Sequence, residues 1–248
     1  MKFGKILAGI TLLSSFSMMA CTDSSSDSHE PTGPQEAAEP TLEEILSEYT
    51  VAYEFDDPEN VGKDFFGKNN AVLDEKMPAL NVENGSLVLD GTSGLRVPLS
   101  DDFKSTLFVI EVRFMATDTM ALSNIFSADP PGSGVPGWMI RLDGSELRFH
   151  IRGSDHNWNI FSAGTISLNE WHTVRIEFTG ADMGELTVLA YDLEISLDGK
   201  NCVSEVLNSA ASGLKYDLGI GYDPHHQSRS DERFFIGKID YIRYAQKH

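Results

Sequence analysis

Arginine side chains recur on one face of several segments that are predicted to be β-strands. Apolar residues occupy alternate positions in each segment, so the residues between them face away from the core. Those outward positions include Arg113, Arg141, Arg148, Arg152 and Arg175. A guanidinium group can hold a carboxylate or sulfate through two parallel hydrogen bonds. If these strands share one sheet, the arginines form a cationic surface that suits an anionic saccharide.

A structural interpretation competes with this ligand-binding one. Glu111 and Glu177 lie on the same outward faces as Arg113 and Arg175. Opposite charges on neighbouring strands commonly form ion pairs that serve no ligand, and such ladders are frequent on exposed sheets. The two interpretations predict different behaviour of arginine variants, and both stay open at the level of the sequence.

Two other side chains extend the candidate ligand-binding surface. His150 lies on the same outward face as Arg148. Trp158 lies in the polar segment 153–159, and an aromatic ring in such a loop can stack on a sugar while its polar neighbours bind hydroxyl groups. Alternatively, Trp158 closes the end of the domain. Trp171 precedes an apolar alternation and is expected in the core.

The elements that must position these residues are short strands separated by turn residues. Alternating segments recur from about Thr50 to the end of the chain, and no long helical pattern interrupts them. This pattern predicts one all-β domain over residues 50–248. Its expected architecture is a two-sheet antiparallel β-sandwich.

Turn residues between the strands predict two β-hairpins. One joins residues 137–142 to 146–152, and the other joins residues 86–89 to 94–97. An Asp-Gly dipeptide lies in each connection and suits a tight turn. Within the strands, the apolar alternate positions form the expected core, which includes Ile160.

The last third of the chain carries an ordered set of short motifs. They are Trp171-His172-x-Val174, a strand ending in Asp198-Gly199, Leu218-Gly219-Ile220-Gly221, and Phe235-x-Gly237-x-Ile239-Asp240-x-Ile242-Arg243. In this order they resemble the laminin-G-like branch of the concanavalin A-like lectin/glucanase superfamily. The resemblance implies a jelly-roll sandwich in which the outer face of one sheet is concave and commonly binds saccharide chains. It does not decide the function, because this fold carries lectins, adhesins, lyases and hydrolases.

The resemblance also bears on metal binding and catalysis. Related jelly rolls often hold a structural calcium near the meeting point of the domain's ends, which implies Asp56, Asp57 and Asp240 as its oxygen ligands here. No other cofactor is expected. The Glu-x-Asp-x-x-Glu strand of related retaining glucanases is missing, as is the Arg-x-Glu-x-Arg strand of related alginate lyases. Catalysis is therefore not expected, and the alternative is an enzyme with an unrecognised site.

The first residues predict export and lipid attachment. Two lysines precede an apolar run, Ile6–Phe16, that is too short to span a bilayer and suits a signal peptide. The run ends before Ala20 and Cys21, a junction that resembles a bacterial lipobox. Residues 1–20 are therefore the predicted signal peptide, Cys21 is the predicted lipidation site, and Thr22 is compatible with the outer membrane. The alternative is an ordinary secretory signal that is cleaved near Ala20.

Polar composition continues beyond the predicted signal. Residues 21–40 are rich in Ser, Asp, Glu and Pro and are predicted to form a disordered tether. Residues 41–49 are predicted to contain a short helix, because Thr41 and Glu44 have the spacing of a capping box. The formal net charge of −19 disfavours binding to nucleic acid and to anionic membranes. Membrane association is therefore expected through the lipid.

Together these observations predict a lipid-anchored protein of the cell envelope, in the outer membrane, whose β-sandwich binds a glycan or glycoprotein without catalysis. The candidate ligand-binding residues are Arg113, Arg141, Arg148, His150, Arg152, Trp158 and Arg175. One alternative is a polysaccharide lyase or glycoside hydrolase. The other is a structural lipoprotein whose sandwich binds another protein.

Overall fold

The alternating segments form the strands of an almost entirely β domain. The computed structural model describes residues 40–119, 122–132, 134–153, 157–180, 190–209, 213–225 and 233–247. Helix α1 (Leu42–Leu46) comes first, and a 3-10 helix (Asp101–Phe103) follows the fifth strand. The strands are β1 (Val51–Tyr53), β2 (Val72–Leu73), β3 (Asn81–Glu83), β4 (Ser86–Asp90), β5 (Leu95–Val97), β6 (Leu107–Ala116), β7 (Ser123–Ala128), β8 (Gly137–Asp143), β9 (Glu146–Arg152), β10 (Trp158–Thr165), β11 (His172–Gly180), β12 (Tyr191–Leu197), β13 (Lys200–Leu207), β14 (Leu218–Ile220) and β15 (Ile236–Lys247).

Backbone pairing assembles these strands into two antiparallel sheets. The first sheet has the order β13-β12-β11-β6-β15-β4-β3, and β1 pairs with the last part of β15. The second sheet has the order β10-β9-β8-β7-β14-β5-β2. Side chains from both sheets form one apolar core between them. The prediction of an all-β, two-sheet antiparallel β-sandwich is therefore confirmed.

Aromatic side chains join the two sheets across the core. Phe108 of the first sheet packs against Trp138 of the second, with ring centroids 5.9 Å apart. Trp138 also meets Phe126 edge-on at 5.0 Å. Complete burial of such side chains contributes ~1.5–3 kcal/mol each before the entropy cost of ordering them. The inward alternation that the sequence predicts for β6, β9 and β11 is buried as expected.

Two residues that were expected in the core lie on the surface instead. Ile160 is 54% exposed and Trp171 is 37% exposed. Trp171 has the same strand parity as Thr173 and Arg175, which face outward, so His172 takes the inward position and packs near Phe114. Parity also explains Ile160, because it lies two residues after the outward-facing Trp158 on β10. The core prediction is wrong at both positions.

One of the two predicted hairpins is present. β8 and β9 pair directly, and a two-residue turn with Gly144 at φ +60° joins them. In contrast, β4 belongs to the first sheet and β5 to the second, so the connection through Gly91 crosses between sheets. The predicted hairpin at this point is wrong. Gly91 has φ +84°, and a Cβ atom there would lie 2.8 Å from Cγ1 of Ile236, so a tight crossing explains this glycine.

β13 is a strand that the sequence does not indicate, because its burial follows no clean alternation and most of its residues are exposed. The sequence does predict a strand over residues 186–191, which lies outside the described residues except for its last two positions.

Helix α1 begins at the predicted capping box and covers part of the first sheet. The Thr41 hydroxyl accepts the backbone N–H of Glu44, and the Glu44 carboxylate accepts the backbone N–H of Thr41 at 2.7 Å. Leu46 and Tyr49 form a small cluster with the outward-facing residues Ala52, Val109 and Ala245. The domain's first described turn therefore lies on the outer face of the first sheet.

The predicted signal peptide, the lipidation site Cys21 and the predicted tether as far as residue 39 lie outside the described residues. Within the part of the chain that the structure describes, none of the helices has the length and apolar character that a membrane span requires.

A buried carboxylate organises the loop between β1 and β2. Asp64 is completely buried, and its Oδ1 accepts the backbone N–H of Ala52 at 2.9 Å. Its Oδ2 accepts the backbone N–H groups of Lys68 and Asn69, each at 3.0 Å. Asn69 in turn is tied to Asp102 at 2.8 Å. The loop is therefore held against the sandwich by one side chain that the sequence analysis did not single out.

Candidate functional site

The outward arginines are divided between the two sheets. Arg113 on β6 and Arg175 on β11 belong to the first sheet. Arg141 on β8 and Arg148 and Arg152 on β9 belong to the second. The prediction of one continuous cationic surface is wrong, because alternation tells which face a side chain occupies but not which sheet its strand joins.

On the first sheet, ion pairs satisfy the arginines. Nε of Arg175 donates to Glu177 at 2.7 Å, and its Nη1 donates to the hydroxyl of Tyr49 at 2.9 Å. The same Nη1 lies 3.3 Å from the Glu111 carboxylate on the neighbouring strand. This is the cross-strand arrangement that the structural interpretation predicts, and it uses the two glutamates named for it.

The remaining guanidinium groups of this face are also paired. Arg243 makes a two-pronged contact with Glu54 at 2.8 and 2.9 Å, and its Nη1 lies 3.6 Å from Glu111. Arg113 donates to Asp240 at 2.7 Å. Its guanidinium also lies over the ring of Trp171, 5.1 Å from the centroid. Arg113, Arg175 and Arg243 of the first sheet therefore each have a carboxylate partner.

The outer face of the second sheet is different, because its central arginine is buried without an ion pair. Arg141 is 5% exposed, and its one recorded side-chain contact is from Nη1 to Sδ of Met139 at 3.3 Å. In the described part of the chain, no carboxylate lies within ion-pair distance of this guanidinium. Strand register places Asn124 of β7 opposite Arg141 on one side and Arg148 of β9 opposite it on the other.

Three buried side chains on this face carry polar atoms without a hydrogen-bond partner. They are both amide atoms of Asn124, Nε of Arg141 and Nε2 of His150, as far as the described residues show. Asn124 and His150 are themselves 0% and 8% exposed. Buried polar groups in proteins are nearly always paired, so a local group of unpaired ones indicates a place where a ligand or water completes the hydrogen bonds. We call these three residues the Arg141 site.

The protonation states within the Arg141 site follow from burial and from neighbouring arginines. Burial, and then the charges of Arg141, Arg148 and Arg233, lower the pKa of His150 to about 3, so this imidazole is neutral at physiological pH. Burial and the charge of Arg233 lower the pKa of Arg141 to about 10, which leaves its guanidinium protonated at neutral pH. The site therefore combines one buried cation with neutral donors and acceptors.

The rim of the site is partly aromatic and partly cationic. Trp158 meets His150 edge-on at 6.1 Å, and the guanidinium of Arg152 lies 4.5 Å from the centre of the Trp158 ring. Exposed Ile160 is the register partner of His150. Arg148 is neutralised by Asp143 at 2.5 Å and by Glu146. Arg148 thus has carboxylate partners that Arg141 lacks among the described residues, although the two residues lie opposite each other.

Arg152, the buried arginine of β9, fixes a loop beside this rim. Arg152 donates from Nε to the carbonyl oxygen of Val135 and from Nη2 to that of Gly132, both at 2.7 Å. The proline-containing loop before β8 is therefore anchored to the face that holds the Arg141 site. Arg152 and Trp158 serve this structural function whatever else they bind.

Acidic side chains lie on another side of the site. Asp129 accepts from Nη1 of Arg233 at 3.1 Å, and Asp223 lies 4.0 Å from the same nitrogen. The Asp223 carboxyl is also within hydrogen-bonding reach of Asp129. Burial, and then the charge of Asp129, raise the pKa of Asp223 to about 7. The charges of Asp129 and Arg233 both act on Arg141.

The predicted calcium ligands do not come together as a group. The described residues contain no set of three or more His, Cys, Asp or Glu side chains that could hold a metal ion. Asp240 is the ion-pair partner of Arg113 and accepts from Ser86 at 3.3 Å. Asp57 accepts from Asn60 at 2.9 Å, and Asp56 lies beside Gly85, the residue before Ser86. The coordination implied for Asp56, Asp57 and Asp240 is not assembled.

A cleft that shares no residue with the Arg141 site lies beside the loop between β1 and β2. Its volume is ≈ 580 Å³, and Val61, Ala71, Leu73, Leu80 and Leu95 form much of its wall. Its polar lining is already paired: Asn60 donates to Asp57 at 2.9 Å, and Asn70 accepts from the backbone of Asp64 at 3.0 Å. The cleft therefore lacks the unpaired groups that distinguish the Arg141 site.

Strand parity identifies some members of this site and not others. Arg141, Arg148, His150, Arg152 and Trp158 do lie together on one face, as their strand parity predicts. Asn124, Asp129, Asp223 and Arg233 are not among the predicted ligand-binding residues. Asn124 has the parity opposite to buried Ile125 and could have been found by that signal. The others lie in loops, where alternation gives no information.

The fold and the site together define a β-sandwich with a polar, partly aromatic patch on one outer face. No protein-family model matches the chain, and no curated protein matches it. Solved structures match it over most of its length. Domain 4 of the GH43 extracellular arabinanase AbnA from Geobacillus stearothermophilus, in complex with arabinotriose, is 18% identical with a TM-score of 0.60; the match covers 80% of this chain and 92% of that one.

Toxin domains show the same fold. The receptor binding domain of botulinum neurotoxin D is 12% identical with a TM-score of 0.58, over 82% of this chain and 50% of that one. A botulinum neurotoxin type C structure, from work on its interaction with two ganglioside molecules, is 12% identical with a TM-score of 0.57 over 84% and 50%. The chain spans about half the length of these toxin chains. At such identities the likeness establishes the β-sandwich fold alone.

Proposed function

We propose that this protein binds a saccharide without catalysis, on the outer face of the second sheet, and that an acidic group of the saccharide binds Arg141. The observation that carries this proposal is the buried guanidinium of Arg141, which has no carboxylate partner among the described residues. A buried charge is costly unless a partner of opposite sign meets it. A ligand carboxylate or sulfate provides that partner through charge-assisted hydrogen bonds.

The neighbours of Arg141 suit the remainder of a sugar. Asn124 offers both an N–H donor and a carbonyl acceptor that are unpaired, and a sugar hydroxyl can use either. Neutral His150 adds one more ring nitrogen. Trp158 and exposed Ile160 supply apolar surface at the rim for the carbon face of a sugar ring. The site is thus charged in its interior and apolar at its edge.

The negative charge of the whole molecule favours this location over the rest of the surface for binding an anion. The formal net charge of −19 repels an anion from most of the surface. The arginines of the first sheet are neutralised by Glu111, Glu177, Glu54 and Asp240. An acidic saccharide is therefore expected to bind the second sheet rather than the first. For this reason Arg113 and Arg175 are not proposed as ligand-binding residues.

The comparisons are compatible with this proposal. The arabinanase domain was solved in complex with arabinotriose, and the type C toxin structure concerns interaction with ganglioside molecules. Both of those proteins share the β-sandwich fold with this chain. We also propose that the chain belongs to the laminin-G-like branch, on the motifs of its last third.

A matched pair of saccharides tests the function. We expect isothermal titration calorimetry to show binding of a uronate-containing oligosaccharide and much weaker binding of the same oligosaccharide after its carboxylates are reduced to alcohols. Binding should weaken as salt rises, because dissolved ions screen the attraction between the approaching anion and the site over ~8–10 Å at ordinary ionic strength. Equal affinity for the two saccharides, or no binding across a broad panel of acidic and neutral glycans, would reject the proposal.

We further propose that Cys21 carries a lipid that attaches the protein to the outer membrane of the cell envelope. The support is the short apolar run that ends at the Ala20-Cys21 junction. Cells grown with radiolabelled palmitate should incorporate label into the wild-type protein and not into Cys21→Ser. Cys202→Ser is the matched control and should stay labelled, since Cys202 lies exposed within β13 of the folded domain. Label retained in Cys21→Ser would contradict the anchor.

A further inference from the structure

Two neighbouring phenylalanines occupy the tip of a tight turn in the loop between β1 and β2. The Gly67 N–H donates to the Asp64 carbonyl oxygen at 2.8 Å, so Phe65 and Phe66 are the central residues of a β-turn. These two residues are 44% and 37% exposed, and their rings meet edge-on with centroids 5.3 Å apart. Central turn positions usually hold small or polar residues. Asp64 and Gly67 already suit the first and last positions of such a turn, so turn geometry does not account for the aromatic pair.

Hydrogen bonds on both sides hold this turn against the first sheet. Phe65 donates its backbone N–H to the carbonyl oxygen of Ala52 at 2.7 Å. The buried Asp64 carboxylate accepts the N–H of Ala52 on one side and those of Lys68 and Asn69 on the other. Ala52 also packs in the small cluster beneath helix α1. The aromatic pair is therefore presented beside α1 by a loop that is already ordered, which lowers the entropy cost of binding a partner.

Lysines flank the aromatic pair on an otherwise acidic molecule. Lys63 lies two residues before the pair and Lys68 two residues after it, and both are exposed. Lys63 forms an ion pair with Asp57 that is long at 4.0 Å. The Asp64 carboxylate is completely buried and accepts backbone N–H groups, so it does not share the surface with the two lysines. An apolar tip between two ammonium groups suits a phospholipid surface, where rings enter the acyl boundary while lysines stay beside the lipid phosphates.

We infer that the Phe65–Phe66 turn docks the domain on a phospholipid bilayer, with both rings at the boundary between headgroups and acyl chains. The exposed parts of the two side chains amount to roughly 150 Å², far less than the about 800 Å² per partner that stable protein interfaces bury. A bilayer sets no such minimum. The formal net charge of −19 favours a zwitterionic surface over an anionic one.

Bilayer docking does not require saccharide binding. Two partly exposed rings bind a bilayer weakly by themselves, because only their exposed surface leaves water. In its strength, docking rests on the proposed lipid at Cys21. A lipid in the same bilayer makes the docking intramolecular and raises the effective concentration of the turn at the surface.

Fluorescence quenching by brominated acyl chains measures whether the turn enters the bilayer. Phe66→Trp in the full chain places an indole in the turn, and Tyr216→Trp is the matched control, since Tyr216 is 38% exposed and lies outside the turn. The native tryptophans are present in both variants. On phosphatidylcholine vesicles, we expect Phe66→Trp to lose at least about twice as much emission to brominated lipid as Tyr216→Trp does, because bromine quenches only indoles that reach the acyl chains. Equal quenching of the two variants would overturn the inference.

Charge reversal tests the contribution of the flanking lysines. Lys63→Glu together with Lys68→Glu, in the Phe66→Trp chain, should reduce the quenching by about half or more. Lys200→Glu together with Lys215→Glu makes the same change in net charge at two other exposed lysines and should leave the quenching unchanged. Equal effects of the two pairs would mean that only the overall charge matters and would contradict docking through this turn.

Sedimentation velocity without vesicles tests a protein partner, namely a second copy of the chain. We expect the wild-type protein and Phe65→Ser to sediment alike. A dimer that Phe65→Ser abolishes would assign the turn to a contact between copies and overturn the bilayer. Failure of the lipid anchor is seen separately, because loss of palmitate label reports on Cys21 while quenching reports the depth of the ring.

Discussion

Arg141→Gln should reduce the affinity for an acidic saccharide by about 30-fold or more, whereas Arg148→Gln should change it by less than about threefold. Removing one partner of a buried charged contact costs ~2–5 kcal/mol, and every 1.4 kcal/mol corresponds to a factor of ten. Arg148 already pairs with Asp143 and Glu146, so these carboxylates neutralise its charge before a ligand binds. Titration calorimetry with the same oligosaccharide measures both variants.

These two variants control each other. Each removes one positive charge, and the two residues are direct register partners on neighbouring strands. Equal losses of affinity would mean that only the overall charge matters and would contradict a specific contact at Arg141.

The stability of Arg141→Gln gives a second criterion. Because Arg141 is a buried cation without a carboxylate, Arg141→Gln should leave the thermal midpoint unchanged or slightly higher, and a large drop would point to a structural function instead.

Asp64→Ala is expected to be among the most destabilising single substitutions in the domain, at about 3–5 kcal/mol. It removes the acceptor of two buried backbone N–H groups, those of Ala52 and Asn69, and of the partly buried N–H of Lys68. Each buried donor left without a partner costs ~1–3 kcal/mol, and water that enters the space recovers part of this. Urea denaturation followed by fluorescence gives the free energy of unfolding.

Asp57→Ala on the same loop is the matched control for Asp64. Asp57 is partly exposed, and its ion pair with Lys63 is long at 4.0 Å. Such surface pairs contribute ~0–1 kcal/mol, so this variant should unfold close to wild type. A loss below 1 kcal/mol in Asp64→Ala would show that the loop between β1 and β2 does not depend on the carboxylate.

Alternation predicts much of this fold because burial is a local property of a strand. A residue's parity decides whether it meets the core, so residues such as Phe108 and Ile176 could be assigned without knowledge of the topology. The same rule places Trp171 outward with Thr173. The expectation that Trp171 lies in the core rests on its position before the apolar alternation, and it is wrong because parity decides the face.

Strand pairing is not local, and this limits what the sequence reveals about the site. β6 and β8 are separated by one strand in the chain but lie in opposite sheets, so Arg113 and Arg141 cannot act together. Whether an outward arginine is free or paired depends on which strand lies beside it. Glu111 is near Arg175 because β6 pairs with β11, and no spacing rule in the sequence contains that fact.

The position of helix α1 has a practical consequence for how this protein can be handled. Leu46 and Tyr49 hold the beginning of the described chain on the outer face of the first sheet, while the Arg141 site lies on the outer face of the second. A biosensor surface, fluorescent protein or affinity matrix joined directly at Pro40 therefore attaches on the side of the first sheet, opposite the site. Coupling at Pro40 is the orientation of choice for measuring ligand capture, and random lysine coupling is not.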